Sequence, residues 1–258
     1  MTKKPEIILG TAQWGLNYGI TNNSGKVNQE EIHKIVEYCL KNNIKTFDTA
    51  RDYGNSEEII GGLNIKFFRQ IQTISKIKNF DLKDNNYDKA NIKDFVLKTH
   101  KNTSNQSIEG MLIYDKLLEH KYFPNLWEVL IELKDNNIIK KIGLTTYEEK
   151  LNEDVIKEYK FDIVQLPFNV YDQHRYENGF LSILKENNVE IHARSIFLQG
   201  LLLLGFNNLD YKFSSIKEHQ KKMHNFFHLN GMSVIEGCLC ANLQNKKVDK
   251  KIVGCENL

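Results

Sequence analysis

Two hydrophobic patterns alternate along the chain. Short runs rich in Ile, Val, Leu and Thr recur between longer stretches whose apolar residues fall at helical spacing. The runs predict strands over residues 6–12, 46–50, 70–77, 109–114, 141–146, 163–169, 190–197 and 251–255. The stretches between them predict helices over 28–43, from Ser56 onward, and over 88–102, 124–137, 151–159 and 179–187, with further helical segments between 214 and 244. Several boundaries carry their own signal. Asn55 precedes Ser56-Glu57-Glu58, a capping side chain before acidic first-turn residues. Pro124 suits the first turn of its helix, where a missing N–H costs nothing. The pairs Asn42-Asn43, Asn136-Asn137 and Asn187-Asn188 stand where helices should stop, since Asn accepts a left-handed cap.

Eight strands alternating with helices specify a parallel sheet. Closing it gives every strand two neighbours. The expected fold is therefore α/β, a single (β/α)8 TIM barrel over residues 1–258, with chemistry at the carboxyl ends of the strands. A chain of 258 residues can bury one large core of this kind.

Composition narrows the class. The formal net charge is +2, and basic pairs such as Lys140-Lys141 and Lys246-Lys247 are interspersed with acids, so no nucleic-acid footprint is expected. No apolar run reaches the length of a membrane span, and the residues before the first strand lack the apolar centre of a signal peptide. Cys39, Cys238, Cys240 and Cys255 are not spaced as a zinc site or a disulfide framework; Cys238 and Cys240, two apart on a helix, point to different faces. They read as small buried residues of a cytoplasmic protein without a metal. A metal-dependent barrel hydrolase would need clustered His and carboxylates at strand ends, and His192 inside the seventh strand has no evident ligand partners.

The strand-end rule singles out three residues. Asp48 lies near the end of the second strand, Tyr53 in the loop after it, and Lys76 near the end of the third. Singly they read as a strand-end cap, a rim aromatic and a surface amine. At successive strand ends of one barrel they read as a proton donor. A free phenol has a pKa of about 10, an ammonium beside it should lower that value, and a carboxylate should balance the buried ammonium. Tyr53 would then protonate a carbonyl oxygen as hydride reaches carbon.

The Asp48-x-x-x-x-Tyr53-Gly54 pattern, Ser75-Lys76 and Leu9-Gly10-Thr11 resemble the aldo-keto reductases. So do the segments 142–146 (Ile-Gly-Leu-Thr-Thr), 164–169 (Val-Gln-Leu-Pro-Phe-Asn) and 191–200 (Ile-His-Ala-Arg-Ser-Ile-Phe-Leu-Gln-Gly), the last resembling a bacterial branch often associated with surface-polysaccharide biosynthesis. The resemblance covers essentially the whole chain. It implies a nicotinamide-dependent oxidoreductase, using NADPH or NADH on a small aldehyde, ketone or sugar carbonyl. Tyr53 would be the general acid tuned by Lys76 and Asp48. Thr145, Thr146 and Gln165 would bind the nicotinamide carboxamide, with Thr11 at the opening strand. Arg194 takes the place where many members stack an aromatic ring on the nicotinamide; a guanidinium can stack there, though its charge disfavours the oxidised ring. Ser195 to Gly200, including Phe197 and Gln199, would cradle the pyrophosphate through backbone N–H groups. Trp14 would line the substrate pocket or pack at the barrel mouth.

Two departures qualify the resemblance. Tyr114 stands where the family usually has a histidine, so a phenol rather than an imidazole would polarise the substrate, and reaction type depends on this position. The sequence also stops soon after the eighth strand, so the expected barrel lacks the last helix and part of the adenosine site. These departures are the case for the alternative, a catalytically lapsed scaffold kept as a binding or regulatory subunit; the intact Asp48, Tyr53 and Lys76 oppose it. The sequence sets no oligomeric state.

Overall fold

The computed structural model describes residues 6–77, 87–104, 107–147 and 153–258. Eight strands, β1 Glu6–Gly10, β2 Thr46–Asp48, β3 Gln72–Ile77, β4 Gly110–Tyr114, β5 Ile142–Thr145, β6 Ile163–Pro167, β7 Glu190–Arg194 and β8 Lys250–Gly254, close into one barrel. Every pairing is parallel, and β8 returns to β1 with Ile252 opposite Ile8. This is the expected (β/α)8 TIM barrel.

The strands are short and apolar on both faces because helices cover the outside while side chains fill the inside. Ile8, Ile74, Leu112, Ile163 and Ile252, from β1, β3, β4, β6 and β8, form one buried cluster. The glycines beside them make room: a Cβ on Gly143 would stand 2.3 Å from the Leu112 side chain. Their neighbours Leu9 and Ile113 point the other way, into two larger clusters formed with the surrounding helices. Side chains alternate along a strand, so two residues beyond the inner Ile and Leu lies the next inward position. Counting two from Ile74, Leu112 and Ile163 reaches Lys76, Tyr114 and Gln165. The apolar plug is therefore topped by a polar layer at the carboxyl ends of the strands.

Most boundaries follow the local chemistry. Asn28 and Asp88 cap the helices Gln29–Lys41 and Lys89–Asn102, accepting from the backbone of Glu31 and Asn91. Pro124 lies in the first turn of Phe123–Asp135. Asn43, Asn137 and Asn188 adopt φ of 61°, 58° and 60°, the left-handed stops expected of them. Asn55, by contrast, makes no capping bond to Ser56–Gly61; the two residues after it are drawn into buried hydrogen bonds instead. The seventh strand ends at Arg194 rather than Phe197, because Ser195 turns to φ 58°. Residues 151 and 152 of the expected fifth helix lie outside the described residues, and its remainder is Glu153–Tyr159. Two helices, Lys217–Leu229 and Val234–Leu243, precede β8, the second opened by a Ser233–Glu236 capping box. Cys39 and Cys238 are buried as expected, but Cys240, on the opposite face of the helix, is exposed. Among the described residues no helix is long and apolar enough to cross a membrane.

Candidate active site

β2 and β3 carry an ion pair into the barrel mouth. Lys76 Nζ donates to Asp48 Oδ1 at 2.5 Å and to the Thr49 carbonyl at 2.6 Å. Both side chains are almost fully buried, with 1% and 4% exposure, so each charge depends on the other for compensation. From the far side of the barrel, Gln165 Nε2 donates to Asp48 Oδ2 at 2.7 Å. The carboxylate is thereby clamped between three strands. Gln165 Oε1 is buried and has no partner.

Tyr53 comes from the loop after β2, and its ring centroid lies 5.0 Å from Lys76 Nζ. The expected lowering of its pKa by Lys76 is overturned. Burial first, then the Asp48 carboxylate, hold the phenol well above 10, with Arg194 opposing. The physical reason is the pairing just described: the ammonium is turned to Asp48 and Thr49, and its charge is balanced there. The phenol stays protonated, which still suits a proton donor. Tyr114, at the end of β4, is also pushed up by burial.

The Tyr53 loop is held by buried side chains and by two glycines. Ser56 Oγ meets Thr11 Oγ1 at 2.8 Å and accepts from Thr49 Oγ1 at 3.1 Å. Glu57 accepts from Ser75, next to Lys76, at 2.7 Å and from Asn102 at 2.9 Å. Gly15 and Gly54 lie backbone to backbone: a Cβ on Gly15 would fall 1.7 Å from the Tyr53 carbonyl oxygen, and one on Gly54, at φ +56°, 2.3 Å from the Gly15 carbonyl.

A cleft of about 510 Å³ opens over this layer, within the range of small-molecule sites. Asp48, Tyr53, Lys76, Tyr114, Gln165, Thr11, Arg194, Ser195, Phe197, Gln199 and Gly200 all line it. Three expected residues do not. Trp14 is packed in the outer core, edge-on to Phe47 at 5.9 Å, which corrects its assignment to the substrate pocket. Thr145 and Thr146 are buried behind the cleft wall, the Thr146 hydroxyl bonding Asp115 at 2.6 Å, so of the three expected carboxamide ligands only Gln165 reaches the cleft. The segment after β7 also differs from a simple N–H cradle, because the Leu198 and Gly200 amides bond the Ser195 and Phe197 carbonyls. Its carbonyl at Gln199 instead accepts from the Ile20 amide at 2.7 Å, joining the loops after β7 and β1.

Among the lining residues that the sequence did not point to are two tyrosines. Tyr147 stacks on the Arg194 guanidinium, 3.8 Å from Cζ to ring centroid. The strand-end rule applied to β5 would have found it. Tyr18, in the loop after β1, carries no local signal. His192 is buried inside the barrel with Nε2 2.8 Å from Glu190 Oε1. Among the described residues no three His, Cys, Asp or Glu side chains group as a metal site.

A parallel eight-stranded barrel with its polar layer at the strand carboxyl ends defines the class: a TIM-barrel protein with an enzyme-like mouth. The sequence profile described as "Aldo/keto reductase family" matches residues 6–255, and the chain belongs to that family, one of carbonyl oxidoreductases. It is 23% identical over 231 residues to the NAD(P)H-dependent D-xylose reductase of Pachysolen tannophilus, covering 75% of this chain and 67% of that protein. It is similar in fold to the holo form of an aldo-keto reductase of Bacillus halodurans, with TM-score 0.73, 18% identity, 98% of this chain and 83% of that one. The glycerol dehydrogenase of Gluconobacter oxydans is similar at TM-score 0.71 and 18% identity, over 97% and 82%.

Proposed function

We propose that this protein is an NADPH- or NADH-dependent oxidoreductase acting on a small aldehyde, ketone or sugar carbonyl, with Tyr53 as general acid. The observation that carries the reading is the buried Asp48–Lys76 pair with two protonated phenols, Tyr53 and Tyr114, beside it in one cleft. The cleft also fits the cofactor. The unpartnered Gln165 Oε1 is an acceptor in want of a donor, as a carboxamide N–H would be. Arg194, Ser195, Phe197, Gln199 and Gly200 would flank the dinucleotide, and Thr11 supports the floor through its bonds to Asp48 O and Ser56.

Bound nicotinamide would supply or accept hydride at the substrate carbon. The protein's own part is proton handling. Tyr53 gives its phenolic proton to the carbonyl oxygen. Lys76, fixed in place by Asp48 and Thr49 with its ammonium 5.0 Å from the Tyr53 ring centroid, positions the phenol for that transfer. Gln165 keeps Asp48 oriented toward Lys76. Tyr114 donates a hydrogen bond to the same oxygen, the role an imidazole would otherwise fill. In oxidation the alcohol proton returns to the Tyr53 phenolate oxygen.

The test is oxidation of NADPH and NADH against a panel of carbonyl compounds, with Tyr53→Phe as control. Loss of the general acid should lower kcat/KM by about 10²-fold or more, while cofactor binding, followed by quenching of tryptophan fluorescence, persists. Equal rates in parent and variant would remove Tyr53 from the mechanism. Binding of neither cofactor would refute the reading as a whole.

A further inference from the structure

We infer that Arg194 makes the site discriminate between the two redox states of the cofactor, holding the reduced form more tightly than the oxidised one. The inference rests on the reading of the cleft as a nicotinamide site. Within that reading it turns on a charge inventory. Among the described residues four charged side chains line the cleft: Asp48, Lys76, Arg194 and Glu256. Asp48 and Lys76 neutralise each other at 2.5 Å. Glu256 stands at the β8 flank, 3.5 Å from Gln13 Nε2. Among the described residues Arg194 has no carboxylate partner. One guanidinium nitrogen donates to the Thr146 carbonyl at 3.0 Å, another reaches Ser195 Oγ at 3.4 Å, and Tyr147 covers one face. These are neutral partners, so the guanidinium's positive charge is not compensated there.

The register places that charge beside the acceptor. β6 and β7 are neighbours, with Gln165 opposite His192 and Pro167 opposite Arg194. Arg194 is thus the inward residue one step above the Gln165 level on the adjoining strand, and both line the cleft. A ring whose carboxamide donates to Gln165 Oε1 would face the adjoining strand end that carries Arg194.

The two redox states share their phosphates, ribose and adenine. They differ at the ring, neutral when reduced and positively charged when oxidised. In the ratio of their dissociation constants every common contact cancels, and the ring's charge against Arg194 remains. Asp48 would favour the oxidised ring, but its charge is already balanced by Lys76. Two like charges sharing one partly desolvated cleft should change an equilibrium constant by about tenfold or more.

Equilibrium titration with NADPH, NADP⁺, NADH and NAD⁺ tests this without turnover. The parent should bind the reduced member of whichever pair it accepts about tenfold more tightly or better. Arg194→Met, which keeps the stem and removes the charge, should shrink the ratio at least about fivefold, mainly by tightening the oxidised form. Arg194→Lys, which keeps a charge, should retain most of it and guards against a mere packing effect. Equal affinities for both forms in the parent, or an unchanged ratio in Arg194→Met, would overturn the inference while leaving the proposed function standing. Binding of no form at all would overturn both.

Discussion

Gly15 is the position where a single methyl group should separate folding from catalysis. An added Cβ would fall 1.7 Å from the Tyr53 carbonyl oxygen, 2.8 Å from its carbon and 2.9 Å from the Ser56 nitrogen. All three are backbone atoms, so no rotamer change relieves the clash. Restoring a separation of 3.0 Å requires the segment carrying Tyr53 to retreat by about 1.3 Å. That segment cannot retreat freely, because Ser56 and Glu57 just beyond it are tied to Thr11, Thr49, Ser75 and Asn102. Overpacking of this kind costs roughly 1–3 kcal/mol of stability, and a misplacement of about 1 Å lowers rate on the order of 10²-fold. Gly15→Ala should therefore fold, melt a few degrees lower, and reduce carbonyl substrates with kcat/KM down by about two orders of magnitude. Gly205→Ala, whose nearest neighbour would be 3.6 Å away, is the matched control. Steady-state kinetics and thermal melts on the three proteins decide the matter. A folded Gly15→Ala protein with unchanged kcat/KM would show that the backbone contact does not set the position of Tyr53.

Three further outcomes are expected. Asp48→Asn leaves the buried Lys76 ammonium without its carboxylate and should lower unfolding free energy by roughly 3–5 kcal/mol; coincident urea curves for variant and parent would contradict the compensation described above. Because Tyr53 is held well above 10, the reductive kcat/KM should stay flat from about pH 6 to 9. The acid form is lost only as pH rises through that raised value, so a decline centred near 8 would mean that Lys76 does lower it. Lys251 is fully buried, donates to the Val248 carbonyl at 2.5 Å, and is pushed down by burial from 10.5 to about 8. Between those values the unfolded chain binds the extra proton, so this residue's contribution to stability should rise with pH by up to about 1.4 kcal/mol per unit. Lys251→Met should be more stable than the parent at pH 7, and the difference should vanish toward pH 10.5; a constant difference in denaturant midpoints would refute the assignment.

The order of strands and helices, and the helix stops at Asn43, Asn137 and Asn188, were legible in the sequence because they rest on local forces: side-chain periodicity and the tolerance of Asn for a left-handed φ. Asp48, Tyr53 and Lys76 were legible for a related reason, since strand ends of a barrel converge whatever the loops do, while Gln165 was reached only through the family resemblance. What surrounds those residues was not. Lys76 turning to Asp48 and Thr49, the phenol raised rather than lowered, Thr146 bonding Asp115, and Trp14 packed against Phe47 depend on contacts between residues distant in the chain. Desolvation and charge pairing act through space, at distances of a few ångströms that only the closed barrel defines. The chain's periodicity determined which residues face the mouth; the tertiary structure decided which of them face one another, so that Lys76 is paired with Asp48 while Arg194 meets only neutral partners among the described residues.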